Sequence, residues 1–119
     1  MQTTTNPTGT KFWFDSQVFE VLLSAADTDG TVSVLRQTLV GGYAPPVHVH
    51  EHEDQTLNVL EGSITAWLDP AGESPTKLSL AAGDTVFLPR GVPHAFKAGD
   101  GGAKPVSYTH LTLPTNTVT

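Results

Sequence analysis

The sequence predicts an all-β domain, and three observations carry that reading. Eleven Gly and nine Pro are spread evenly over 119 residues, which is turn punctuation between many short elements rather than a linker. The segments between these turns are short and rich in β-branched and aromatic residues, and no window of helical period extends beyond about ten residues, at the margin for a stable helix. No repeat of solenoid length is present. Strands this short and numerous are expected to close into a β-barrel or a double-sheet jelly roll.

The elements follow in order. Met1 to Thr10 is a polar, Thr-rich lead, expected to fray. Val18–Leu23 and Val32–Leu39 flank Asp27-Thr28-Asp29-Gly30, a turn signal ending in Asp-Gly, and read as a hairpin. Gly41 to Pro46 interrupts pairing, and Val47–His50 is extended. Thr56–Leu60 and Ser63–Leu68 read as a second hairpin turning at Glu61-Gly62, closed by Asp69-Pro70-Ala71-Gly72. Lys77–Leu80, Thr85–Leu88 and His94–Lys97 are short strands, split by Ala82-Gly83-Asp84 and by Pro89 to Pro93. Leu57, Val59, Trp67, Tyr43, Phe87 and Phe96 are the candidates for the interior.

Composition narrows the function. The length suits one domain, and six basic against twelve acidic residues give a formal charge of −6. Scattered basic residues do not make a phosphate-binding surface, so nucleic acid is not expected as a partner. There is no cysteine, so any metal must be held by His, carboxylate, amide or water. The N-terminus lacks the pattern of a secretion signal and no stretch approaches the ~20 apolar residues of a membrane span, so a cytoplasmic location without membrane contact is expected. The composition is compatible with a homodimer.

Chemistry concentrates in the histidines. His48 and His50 lie two apart in an extended segment, where residues i and i+2 share a face, so both imidazoles can reach one point. Taken alone, such a pair also fits two surface histidines. The surrounding spacing adds context: Gly42, five residues, His48-Val49-His50, four residues, Gln55, six residues, Gly62; and later Gly83, then Pro89-Arg90-Gly91, His94 and Ala98.

These two motifs, at 42–62 and 83–98, resemble those of the cupin superfamily. The wording PPVHVHEHEDQTLNVLEG and PRGVPHAF is most similar to small single-domain bacterial cupins of the quercetin 2,3-dioxygenase-like type. The resemblance implies a single cupin jelly-roll barrel holding a divalent metal ion (Fe, Mn, Ni, Co or Zn) through His48, His50, the residue at position 55 and His94. It also implies a small organic molecule as substrate and a dioxygenase, an oxidoreductase, as the activity. Gln55 stands where the family motif usually has Glu. Its amide oxygen can coordinate a metal, but it brings no charge and accepts no proton at neutral pH. Asp54 satisfies a three-residue spacing instead, but leaves seven residues before Gly62, so Gln55 is the expected inward residue. Glu51, His52, Glu53 and Asp54 read as a solvated loop, as partners for the ligand imidazoles, or as a replacement base.

The last segment, Val106 to Thr119, has no place in either motif and resembles the translation of a transposase adapter used in preparing sequencing libraries. On that reading the cupin domain spans residues 1–105, its C-terminus is truncated, and residues 106–119 are a non-native tail expected to add nothing to the site, His110 included. The alternation in VSYTHLTL equally suits a closing strand. Two further functions fit the same residues: a non-catalytic module binding a metal or small molecule, and a sugar or keto-acid isomerase, which would need an acid/base for which the inner strands offer no clear candidate.

Overall fold

A computed structural model describes residues 6–14 and 17–111. Its strands are β1 (Lys11–Phe14), β2 (Gln17–Leu23), β3 (Val32–Thr38), β4 (Glu53–Leu68), β5 (Thr76–Ala81), β6 (Thr85–Leu88) and β7 (His94–Leu111). They form one antiparallel sheet in the order β1-β2-β3-β7-β4-β5, with β6 also paired to β4. Apart from one 3-10 turn at Ala25–Thr28, the described residues contain no helix, and none is long and apolar enough to cross a membrane.

The first hairpin forms as its sequence predicts. Val21 faces Leu35 across β2 and β3, and the turn closes with Asp29 and Gly30 both at positive φ, a conformation that Asp and Gly tolerate best. The segment expected to fray is tied down from residue 6 onward at several points: Gly9 N–H donates to the Val21 carbonyl at 2.8 Å, and Ser24 N–H donates to Thr8 Oγ1 at 3.0 Å. Residues 1–5 lie outside the described ones.

The second expected hairpin is corrected. Glu61-Gly62 does not reverse the chain. It bends one continuous strand, the 16-residue β4, against the 18-residue β7, which pairs with it from Glu53↔Leu111 to Leu68↔His94. The pairing slips at Val59/Glu61 and Gly62/Ile64, and such bulges bend a strand without ending it. Gly62 sits at φ 79, where a Cβ would lie 2.2 Å from the Gly102 carbonyl oxygen. Only Gly fits there. Below the bend β4 pairs with β6 through Gln55–Asn58, and above it with β5 through Ser63–Leu68. The sheet therefore folds over itself into a jelly-roll barrel.

Its core is the inward side of both halves: Leu57, Val59, Ile64, Ala66, Leu80, Val86, Leu88, Phe96 and Ala98. Trp67 is partly buried and Tyr43 packs against this cluster from outside. Phe87 is corrected: it is 54% exposed, because the two-residue period of β6 turns Val86 and Leu88 inward and leaves Phe87 on the opposite face.

The boundary expected at residue 105 falls inside β7. Residues 106–110 pair with β3 on one side (Val32↔His110 to Arg36↔Val106) and with β4 on the other, and Val106, Ser107 and Thr109 are buried. His110 is exposed. Residues 112–119 lie outside the described ones.

Candidate metal centre

Three backbone contacts bring the histidines together. His48 and His94 form an isolated antiparallel bridge, exchanging N–H···O=C bonds of 3.0 and 2.9 Å, so their side chains leave adjacent strands side by side. Gly91, at φ 78, donates its N–H to the His50 carbonyl at 2.8 Å. The loop before His94 is thereby tied to the segment that carries His48 and His50. Asp54 reinforces this tie: it accepts Arg90 N–H at 2.9 Å, Nε at 3.2 Å and Nη2 at 2.8 Å. The guanidinium and backbone N–H of Arg90 hold the Asp54 carboxyl below its ordinary range.

In the resulting cluster each of His48, His50 and His94 offers one ring nitrogen, all within 4.8 Å of one another. His48 Nε2 and His94 Nε2 are 3.0 Å apart. Two nitrogens each about 2.1 Å from one ion and at right angles to each other are separated by about 3.0 Å. The ring of His48 is oriented by Nδ1–H donating to the Pro46 carbonyl at 3.0 Å, which leaves the Nε2 lone pair facing His94. His50 is oriented in the same manner: Nδ1 contacts Glu53 Oε1 at 3.0 Å, and its Nε2 is buried without a hydrogen bond.

The charge state suits a ligand role. Burial, with smaller contributions from His48 and His50, pushes His94 down to about 4. His48 is also lowered, mainly by burial, although the Pro46 carbonyl opposes the shift. Neutral imidazoles with free lone pairs are the form that binds a metal ion.

The run Glu53-Asp54-Gln55 divides by strand parity. Gln55 is buried and Asp54 is not, which agrees with the register expected from the spacing to Gly62. Gln55 Nε2 donates to Ser107 Oγ at 2.6 Å, while its Oε1 is buried without a hydrogen bond. The residue beyond 105 that holds the Gln55 side chain is thus Ser107. Glu53 is the residue that sequence reasoning undervalued. Read there as part of a polar run that was either solvated or a partner for the imidazoles, it is 9% exposed and holds the His50 ring. The signal was available: if Gln55 faces inward, the residue two before it on the same strand does too.

A buried amide oxygen and a buried imidazole nitrogen left without hydrogen bonds are costly in a folded protein. Together with three converging rings, such donors fit a divalent first-row ion. Fe, Mn, Co, Ni and Zn all accept such donors, so the ligand set does not select among them.

Comparison with known proteins follows the same lines. The family described as a cupin domain matches residues 35–111. Quercetin 2,3-dioxygenase of Bacillus subtilis (strain 168) is 30% identical over 101 residues, which is 85% of this chain and 28% of the relative. Auxin-binding protein ABP19a of Prunus persica is 28% identical over 83 residues, 70% of this chain and 39% of the relative. The chain thus spans well under half the length of either. Among solved structures, KdgF from Halomonas sp. superposes with a TM-score of 0.72 over 90% of both chains at 15% identity, a likeness of fold. With a family match across most of its length and a barrel that gathers the motif histidines, the chain belongs to the cupin family.

Proposed function

We propose that His48, His50, His94 and Gln55 hold one divalent metal ion, and that the protein is a metal-dependent, dioxygenase-like cupin acting on a small organic molecule. The observation that carries this reading is the convergence of three ring nitrogens within 4.8 Å. The buried, unbonded Oε1 of Gln55 supports it as a fourth donor, and the relative named quercetin 2,3-dioxygenase supports the reaction class.

A bound Fe, Mn, Co or Ni ion would supply Lewis acidity and a site for redox chemistry with O₂. The protein's own residues do the positioning. Pro46 and Glu53 fix the rings of His48 and His50, and the Asp54–Arg90 pair holds the loop that delivers His94. Gln55 cannot take a proton from a substrate, and Glu53 is engaged with His50. The substrates favoured by this arrangement are therefore those whose reacting group is already acidic, such as flavonols, enolisable diketones and thiols.

The lack of a free base among these described residues favours a second reading, a non-catalytic module binding a metal or small molecule; a relative named as an auxin-binding protein is consistent with it. A sugar or keto-acid isomerase is less well supported, because it requires that base. Metal analysis of protein purified without added metal, followed by oxygen consumption with flavonols, diketones and thiols, separates the readings. The oxygenase reading expects bound metal and substrate-dependent oxygen uptake. Bound metal without uptake across the panel favours the binding module.

A further inference from the structure

We infer that Glu53 supplies, from behind His50, the negative charge that Gln55 does not bring to the metal ion, so that the site's carboxylate acts through an imidazole instead of touching the ion. This rests on the ligand assignment proposed above. Glu53 and Gln55 are alternate residues of β4 and both face inward. Among the described residues Glu53 is the one buried carboxylate, since Asp54 between them faces the other way and is committed to Arg90.

Burying a carboxylate is unfavourable unless opposite charge or strong donors compensate. Its Oε1 contacts His50 Nδ1 at 3.0 Å, and His50 Nε2, the opposite nitrogen of the same ring, is one of the buried atoms without a hydrogen bond, as is His94 Nδ1. A divalent ion on Nε2 would act on Glu53 through the ring, making Nδ1–H a stronger donor while the carboxylate makes Nε2 a stronger ligand. Three imidazoles and one amide carry no charge, so Glu53 is the compensating anion. In this role it is a positioning residue, acting on the ion only through His50.

Glu53→Gln keeps the size and an acceptor for Nδ1–H but removes the charge. Co(II) affinity, measured on the full chain by competition with a chelator, is expected to fall by about 10–100-fold, with the ligand-field spectrum unchanged because the same four donors remain. Adding Gln55→Glu to that variant returns one negative charge to the site and is expected to bring affinity back to within a few-fold of wild type. A purely structural Glu53 would not be rescued in this way. Wild-type affinity in E53Q, or a double variant no better than E53Q, overturns the inference. Wild-type protein that takes up no Co(II) overturns the ligand assignment itself and this inference with it. Should E53Q fail to fold, the nitrogen-15 spectrum of His50 in Zn(II)-loaded wild type decides: a proton on Nδ1 is expected, and an unprotonated Nδ1 contradicts the inference.

Discussion

His48 and His94, far apart in sequence, exchange both backbone hydrogen bonds of an antiparallel bridge and bring their Nε2 atoms to 3.0 Å. The backbone bridge sets the two side chains side by side. Two neutral rings at that distance can share one proton or one cation, and the oriented Nδ1–H of His48 leaves its lone pair aimed into the gap. The sheet thus brings together three histidines that could hold a metal ion.

Removing one of these rings should damage binding more than any outer contact. His94→Ala is expected to lower Zn(II) or Co(II) affinity beyond the ~10–100-fold attributed to a partner of a ligand, while the apolar barrel below it still folds. Isothermal titration together with thermal unfolding checks both halves of the expectation.

The lowered value of His94 gives a signed pH dependence. Its folded-state value is about 4, against ~6.5 in an unfolded chain. Between these the unfolded state binds more protons, so the stability of the metal-free protein rises with pH across that window. The contribution is fully present above ~6.5 and is lost as pH falls through about 4; His48, lowered in the same direction, adds to it. Urea unfolding of metal-free protein at several pH values reads the slope, and His94→Ala should flatten it.

Asp54 tests the register. It faces Arg90, and their side chains are 23% and 46% exposed, so Asp54→Asn is expected to cost about 1 kcal/mol or less and to leave metal affinity within a few-fold. Gln55→Ala should weaken binding instead. A reversed pattern in chelator competition would put Asp54 in the ligand set.

Gly62 tests the bend. Gly62→Ala places a methyl group 2.2 Å from the Gly102 carbonyl oxygen at a positive φ. The backbone strain alone is worth about 1–3 kcal/mol, and relief of the clash would shift β4 against β7. Denaturant unfolding should show the loss.

The final strand carries a prediction of its own. β3 reaches β7 through residues 106–110, with only the Leu39↔Ala103 bridge beyond them. A chain ending at residue 105 is therefore expected to unfold at lower temperature and to free β1–β3 from the barrel, whatever the origin of those residues. Equal melting temperatures for residues 1–105 and 1–119 would instead support the reading of the tail as an unselected addition.

Much of this was legible in the residues. Turn chemistry at Asp29-Gly30 gave the first hairpin, and motif spacing gave the three histidines and the inward Gln55. The failures share a physical cause. A bulge at Glu61-Gly62 bends a strand with the same glycine signal that would end one, so local sequence cannot distinguish a bend from a hairpin. The apolar character of Phe87 argues for the interior, but Val86 and Leu88 take the inward positions of β6. Charge runs are usually solvated, yet the parity it shares with Gln55 turns Glu53 inward.

The most direct test is Co(II) titration of the metal-free full chain, alongside the His48→Ala, His50→Ala and His94→Ala variants. One equivalent bound per chain, with the spectrum of an imidazole-rich site and a large loss of affinity in every variant, is the predicted result. Failure of the wild type to bind, or stoichiometric binding unchanged in any one of the three variants, would contradict a metal centre built on His48, His50 and His94.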